Sequence, residues 1–152
     1  MRKTVLIWLL LMLGFGPDVA AQQKPAPKIT PPVLQTFWGF SKGGSLTLEM
    51  ALQLVDSSVW VISDKKERMR ISRFMLVYRS EDRYEDDETG KVQTRFNAYS
   101  IEVSNTGLLP EKWRKFLYEN IKREDELLVA DIIVRDQRGE YLRAPDLKIV
   151  IQ

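Results

Sequence analysis

The sequence predicts a mainly β protein of the α+β class, on the basis of three observations. Residues 69–80 and 92–104 are both rich in Ile, Val, Tyr and Phe, as strands are. Apolar residues recur with a two-residue period in the strand-like parts of residues 127–151. Helical spacing of apolar residues is clear in one segment, residues 110–123.

The amino-acid composition excludes several classes of enzyme. The 152 residues include no His and no Cys, so the chain cannot build a Ser-His-Asp or Cys-His nucleophile, or a zinc site of imidazole and thiolate ligands. We therefore predict that the protein is not an enzyme and has no catalytic, cofactor-binding or metal-binding residues. The formal net charge of +2 is too small to predict a nucleic acid partner.

Residues 1–21 have the features of a secretory signal peptide. A positively charged start is followed by an apolar run at residues 5–15 and by small residues that place the cleavage site between Ala21 and Gln22. The run is shorter than the ~20 residues that span a bilayer. We therefore expect no membrane span after cleavage and a periplasmic location, with secretion as the alternative.

Residues 22–36 contain four of the seven prolines, which predicts an extended linker before a domain at residues 37–152. The domain opens with three clustered aromatic residues, Phe37, Trp38 and Phe40. Exposed aromatic rings suit sugar binding, and aromatic residues near a boundary also cover the end of a core. A carbohydrate-binding protein is therefore an alternative function.

Residues 45–55 fit two secondary structures. Leucine and methionine alternate with other residues from Leu46 to Leu54, which is typical of a strand, but Leu46, Met50 and Leu54 also share one face of a helix. The low content of β-branched residues favours a short helix without excluding the strand. Residues 59–63, VWVIS, are predicted to form a strand, and residues 64–68 a polar turn.

The two strands at 69–80 and 92–104 are joined by the acidic segment EDRYEDDETGK, which predicts a long antiparallel hairpin with a charged tip. The alternating carboxylates of the tip resemble a calcium loop, but the loop glycine and the closing Glu are missing, so a solvated charged loop is favoured. The tip and the aromatic cluster together are the candidate interaction surface: Glu81, Asp82, Tyr84, Asp86, Asp87, Phe37, Trp38 and Phe40.

Residues 110–123 are predicted to form one amphipathic helix. Pro110 suits the first position, and four apolar residues make a single stripe, namely Trp113, Phe116, Leu117 and Ile121. A stripe of this kind packs on a core more often than it binds a partner or a membrane. We therefore expect the helix to dock on the sheet.

The last segment is predicted to be structural. Alternation places Leu128, Ala130, Ile132 and Val134 on one face of a strand. Residues 136–139 form a turn in which Gly139 suits a left-handed conformation. Pro145 then interrupts the hydrogen bonding, and the final strand turns its apolar residues to the core: Leu147, Ile149 and Ile151.

The order of these elements resembles the C-terminal domain of GldM (PorM), a protein of gliding motility and type IX secretion. The resemblance covers residues 38–152 and is carried by Gly43-Gly44 before a leucine-rich segment, the strand ISRFMLV, the helix, and the ending EDELLVADIIVRDQRGEYLRAPDLKIVI. Within the ending, the matching positions are Asp131-Ile132, Asp136 to Gly139, Leu142-Arg143 and Leu147 to Ile151. The sequence departs from the family at Glu124, where the family has glycine before aspartate, and the 152 residues do not include the family's membrane helix and helical stalk.

The resemblance implies an Ig-like antiparallel β-sandwich with one helix near the C-terminal hairpin. It also implies a periplasmic protein–protein interaction module of a Bacteroidetes-type cell envelope, with components of the type IX secretion ring as partners. A generic envelope accessory protein is the other alternative. The sequence does not specify the partner, the binding face or the oligomeric state.

Cleavage of the signal peptide predicts a defined mature N-terminus. We expect the intact mass of protein purified from the native periplasm to correspond to a chain that starts at Gln22. A mass that still includes residues 1–21 would contradict cleavage and indicate an N-terminal membrane anchor.

Overall fold

A computed structural model describes residues 31–152, so the predicted signal peptide, its predicted cleavage site at Ala21–Gln22 and most of the predicted linker lie outside the described residues. The described chain forms eight strands and two helices. In chain order these are β1 (Leu34–Trp38), β2 (Gly44–Leu46), α1 (Leu48–Val55), β3 (Val59–Ser63), β4 (Arg68–Glu85), β5 (Val92–Ser104), α2 (Glu111–Asn120), β6 (Glu126–Arg135), β7 (Tyr141–Arg143) and β8 (Leu147–Ile151). None of the helices within residues 31–152 has the length and apolar character needed to cross a membrane.

The strands form one curled, open and mixed sheet in the order β1-β3-β4-β6-β8-β2, with β5 paired to β4 and β7 paired to β6. A hydrogen bond of 2.6 Å from the Thr36 hydroxyl to the Pro145 carbonyl holds β1 near the start of β8. The predicted mainly β, α+β class is confirmed. Three details differ from an antiparallel sandwich with one helix. The strands form one sheet instead of two packed sheets, β2 pairs with β8 in parallel, and α1 is a second helix.

Strand β1 begins inside the predicted linker. Its pairing with β3 starts at Leu34, opposite Ser63, and Thr36 is buried. The prolines at positions 31 and 32 precede this pairing and therefore remove none of its hydrogen bonds. Residues 34–36 accordingly belong to the domain.

Helix α1 decides between the two interpretations of residues 45–55. The Thr47 side chain caps its N-terminus by accepting a hydrogen bond of 3.3 Å from the Met50 backbone N–H. The helix buries Ala51, Leu54 and Val55 against the sheet, whereas a strand over the same residues would alternate. The capping hydroxyl and this helical stripe favour the helix.

Trp38 is a core residue, so its assignment to the candidate interaction surface was wrong. Alternation along β1 turns Thr36 and Trp38 to the core, and the indole N–H of the fully buried Trp38 donates to the Ser57 carbonyl at 3.1 Å. Phe37 points to the other face of the sheet, and Phe40, outside the strand, is 54% exposed. Three neighbouring aromatic residues therefore have three different environments.

The face of β6 changes in mid-strand, so the prediction that four residues from Leu128 to Val134 share one face was wrong. Leu127 and Val129 are buried before Asp131, whereas Ile132 and Val134 are buried after it. Asp131 is an extra residue relative to β4 and has a φ of 49°. A bulge of this kind shifts the two-residue period by one, which turns Leu128 and Ala130 to the outer face.

Helix α2 docks on the sheet, as predicted. Leu117 is fully buried, and the partly buried Phe116 ring meets the Tyr78 ring edge-on with centroids 5.9 Å apart. Trp113 packs against the same core, and Ile121 is buried just after the helix ends. The helix itself spans Glu111–Asn120 and is shorter than the predicted 110–123.

The C-terminal hairpin agrees with the sequence analysis. Gly139 has a φ of 87°, as the predicted turn requires. The predicted core residues Leu147, Ile149 and Ile151 of β8 are buried. Gly43 approaches β8 so closely that a Cβ atom there would lie 2.8 Å from the Lys148 carbonyl oxygen.

The difference in burial between Trp38 and Phe40 predicts a difference in their contributions to stability. We expect Trp38→Ala to lower the free energy of unfolding by about 3–5 kcal/mol, because it removes a buried ring and leaves a cavity. Phe40→Ala is the matched control and should change stability by less than about 0.5 kcal/mol, as exposed substitutions do. Urea unfolding followed by circular dichroism measures both, and equal effects would contradict the placement of Trp38 in the core.

Candidate interaction surface

The β4–β5 hairpin extends beyond the rest of the sheet. The two strands pair from Arg73 with Ser104 to Glu85 with Val92, but the pairing of β4 with β6 ends where Arg79 meets Glu126. Residues 80–97, here called the ribbon, therefore continue as two strands and a turn, with no third strand from the described residues beside them. Strand β4 is five residues longer at this end than the predicted 69–80, which is why the sequence analysis placed most of these residues in a loop.

The ribbon exposes apolar side chains and strand edges. Phe96 is 77% exposed and Val92 is 70% exposed, and both lie on one face, opposite Glu81 and Glu85 of β4. Tyr84 is exposed on the other face. The outer edge of β5 pairs with no strand of the described chain, so its backbone N–H and C=O groups are available for pairing with another strand.

The turn at the end of the ribbon is organised by one carboxylate. Asp86 accepts hydrogen bonds from the backbone N–H of Thr89 at 2.8 Å, from its hydroxyl at 2.9 Å, and from the Glu88 N–H at 3.1 Å. The hydrogen bonds from Thr89 in particular lower the pKa of Asp86. Asp86 therefore forms the turn, while Asp87 is exposed at its tip. Residues 31–152 contain no cluster of three or more acidic side chains that could hold a metal ion.

The base of the ribbon is attached to the domain through Asp82. Its carboxylate accepts hydrogen bonds from the Lys122 ammonium and from the Asn97 amide, the latter at 2.6 Å. The hydrogen bond with Lys122 lowers the pKa of Asp82 and raises the pKa of Lys122. Glu81 is paired with Arg83 at 3.4 Å. Two of the predicted surface carboxylates thus have partners within the domain.

A buried carboxylate, Asp125, links β4 to the segment after α2 next to the ribbon base. Asp125 is 1% exposed and accepts hydrogen bonds from the Tyr78 hydroxyl at 2.7 Å and from the Lys122 backbone N–H at 2.8 Å. Burial, followed by the hydrogen bond to Asp125, raises the pKa of Tyr78. Glu124, the residue before Asp125, has a φ of 72°, a conformation that favours glycine.

Tyr78 and Asp125 are not among the site residues predicted from the sequence. A tyrosine in a predicted buried strand and an aspartate after a helix both have ordinary explanations. Only the packing of α2 beside β4 brings the two side chains together, 47 residues apart in the chain.

A groove of about 420 Å³ lies beside the ribbon base, lined by Arg79, Ser80, Glu81, Phe96, Asn97, Ala98, Glu124 and Glu126. Arg79 faces Glu126 at 3.8 Å, and Arg83 faces Glu124 at 3.7 Å across the nearby surface. The groove therefore combines one large exposed ring with charges of both signs. Such a surface suits a polypeptide partner.

The structure does not bring the two halves of the candidate interaction surface together. Phe37, Trp38 and Phe40 lie in or just after β1, which reaches β4 only through β3 near Arg68. The ribbon is at the opposite end of the 18-residue strand β4. Of the predicted residues, Glu81, Asp82, Tyr84, Asp86 and Asp87 belong to one surface, and Phe37 and Phe40 belong to another.

Comparison with protein-family models gives no match, and no curated protein sequence matches the chain significantly. The fold and this surface define the class of the molecule, a mainly β domain with a protruding two-stranded ribbon. The resemblance to the GldM family stays an expectation from the residues quoted above.

The buried hydrogen bond under the ribbon predicts an alkaline effect on stability. Because the pKa of Tyr78 is raised in the folded protein, its contribution is fully present below the unfolded value near pH 10 and is lost as the pH rises above it. We expect the free energy of unfolding in urea to fall above about pH 10, and to fall less in Tyr78→Phe.

At neutral pH, Tyr78→Phe should also cost about 1–3 kcal/mol, since the Asp125 carboxylate loses a partner in a buried site. Tyr141→Phe, at an exposed ring, is the control and should change stability by less than about 0.5 kcal/mol. An alkaline loss of stability in Tyr78→Phe as large as in the wild type would contradict this role of the hydroxyl.

Proposed function

We propose that this chain is a non-catalytic, periplasmic protein–protein interaction module whose binding element is the ribbon. The exposed ribbon, with two large apolar side chains on one face and a free strand edge, is the observation that carries the proposal. The non-catalytic part rests on the composition, which lacks His and Cys. The location rests on the predicted signal peptide.

Strand addition is the binding mode that this geometry supports. An extended segment of a partner can pair with the outer edge of β5, where main-chain hydrogen bonds supply affinity and alternate side chains supply specificity. Phe96 and Val92 would then be covered by apolar side chains of the partner. The buried hydrogen bond of Tyr78 with Asp125 and the contact of Tyr99 with Phe116 hold the ribbon base to the domain, which reduces the conformational freedom lost on binding.

The charge of the ribbon defines the partner further. Residues 81–91 contain six carboxylates and two basic residues, so the complementary surface is basic. Type IX secretion and gliding proteins are the proposed partners on the basis of the resemblance to GldM. A generic envelope accessory protein would use the same ribbon with a different partner.

Carbohydrate binding by the aromatic cluster is less well supported. Trp38 is fully buried, and one face of the Phe37 ring is covered by Trp60, with ring centroids 4.1 Å apart. Phe40 is the one member of the cluster with most of its surface exposed. A single exposed ring gives a sugar little area to stack on.

Site-specific crosslinking in the native envelope tests the proposal. A photoreactive amino acid at position 96 or 92 should give an adduct with a specific envelope protein, because both positions lie on the proposed binding face. The same amino acid at position 118 is the matched control, since Tyr118 is exposed on α2, outside the ribbon. Mass spectrometry of the adduct identifies the partner and decides between secretion components and other envelope proteins.

Phe96→Asp then measures the contribution of the ring. We expect at least a tenfold loss of affinity for the identified partner, because a buried apolar contact is replaced by an unpaired charge. The melting temperature should stay within about 2 °C of the wild type, since the side chain is exposed. Adducts at position 118 and none at positions 92 and 96 would move the binding face away from the ribbon.

A further inference from the structure

The outer face of the sheet, at the end away from the ribbon, carries a second surface built from cationic and aromatic side chains. It crosses strands β1, β3, β4, β6 and β7, and we call it the arginine row. Its members are Lys42, Phe37, Trp60, Arg68, Arg70, Arg135 and Tyr141.

Strand alternation places these side chains on one face. In β3 the residues on either side of Trp60 are buried, and in β4 Arg70 lies between the buried Met69 and Ile71. The same alternation turns Arg135 of β6 outward from the buried Val134. Phe37 pairs directly with Trp60, and Tyr141 pairs directly with Arg135, so the row is continuous from strand to strand.

Aromatic rings hold several of the cations in place. The Phe37 and Trp60 rings are stacked within 5° of parallel, with Lys42 over the outer face of Phe37 at 5.4 Å and Arg68 over Trp60 at 5.6 Å. At the other end Arg135 lies 5.4 Å from the centre of the Tyr141 ring. These contacts position the charges without neutralising them.

The charges of the row are unbalanced. Within residues 31–152, no carboxylate lies within 4 Å of Lys42, Arg68, Arg70 or Arg135. Arg70 and Arg135 are directly opposite each other in the β4–β6 pairing, where like charges are destabilising. Three neighbouring arginines, by contrast, all have carboxylate partners: Arg73 with Glu102, Arg138 with Asp136, and Arg143 with Asp131.

We propose that the arginine row binds an acidic polysaccharide that lies across the strands. Arg70 and Arg135 face each other on the adjacent strands β4 and β6, with their Cα atoms roughly 5 Å apart, and Arg68 lies on the same face of β4. A linear polymer with anionic groups on successive sugars can contact these three cations together. The pairing of Arg70 with Arg135 then stabilises the complex instead of opposing the fold.

The covered rings favour a polysaccharide over single-stranded nucleic acid. Nucleic acid binding of this kind depends on bases that stack on free aromatic faces. Each ring of the Phe37–Trp60 pair has one face against the other ring and its second face against a cation. These two rings therefore offer no free face to a base, and Tyr141, which is 63% exposed with Arg135 over its ring, is the one ring of the row open to stacking.

This proposal is independent of the ribbon, because the two surfaces lie at opposite ends of β4 and share no residue. Titration calorimetry of the full mature chain tests it with defined probes: heparin and polygalacturonate as acidic polysaccharides, dextran as a neutral one, a single-stranded oligodeoxynucleotide, and poly-glutamate. Both acidic polysaccharides should bind in low salt, and dextran should not.

The double variant Arg70→Gln/Arg135→Gln should weaken binding of both acidic polysaccharides at least tenfold. The slope of log Kd against log salt should fall by about two, one for each cation removed. Arg79→Gln/Arg83→Gln removes the same charge from the outer face of the ribbon end and should change the affinity less than twofold. Arg70→Lys/Arg135→Lys keeps the charge and should retain most of the affinity.

Folding is checked by the melting temperature, which should stay within about 2 °C of the wild type. Arg70→Gln/Arg135→Gln relieves the opposed charges but also loses the 3.1 Å hydrogen bond from Arg135 to the Gly139 carbonyl, at an exposed site. Equal weakening by the two Gln double variants would show a diffuse charge effect and overturn the proposal. Tighter binding of the oligodeoxynucleotide or of poly-glutamate than of either polysaccharide would also overturn it, in favour of a nucleic acid or an acidic polypeptide.

Discussion

Strand β4 is the element on which the rest of the domain depends. It is 18 residues long and pairs with β3 at its start, with β6 along its middle and with β5 to its end. A strand of this length would normally keep one face to the core throughout. The bulges that it shares with β6 shift the two-residue period, so that Met69 and Ile71 are buried before the shift and Phe74 and Leu76 after it. This shift lets a curled sheet enclose one continuous core.

The length of β4 also separates the two candidate surfaces. At its end the strand leaves its partner β6 at Arg79 and continues with β5 as the acidic ribbon. At its start it presents Arg68 and Arg70 to the outer face. One strand therefore carries negative charge at one end and positive charge at the other. A nearly neutral composition conceals this separation, since a net charge reports the sum and not the distribution.

Helix α2 and the segment after it connect the core to the ribbon. The helix buries Leu117 on the sheet, and the chain that follows carries Lys122 to Asp82 and Asp125 to Tyr78. The hydrogen bond between Tyr78 and Asp125 is buried, so the loss of either partner would leave a polar group without a partner away from water. The ion pair between Lys122 and Asp82 is exposed, so water and salt screen it and it contributes little to stability. The ribbon base is thus fixed mainly by the buried hydrogen bonds and by the aromatic contact of Tyr99 with Phe116, whose ring centroids are 5.1 Å apart.

The sequence by itself determined the class of the fold, the central hairpin, the apolar stripe of α2 and the turn at Gly139, because these follow from local periodicity and backbone preference. Tertiary structure decided the rest. Trp38 is buried because it lies on the core face of β1, whereas Phe40 lies after the strand and is exposed. Leu128 points outward because the bulge at Asp131 shifts the alternation of buried and outward residues in β6 by one position. The arginine row and the pairing of Tyr78 with Asp125 join residues distant in sequence, so no local pattern predicts them. Pairing between strands sets which side chains become neighbours, and that pairing is a property of the whole sheet.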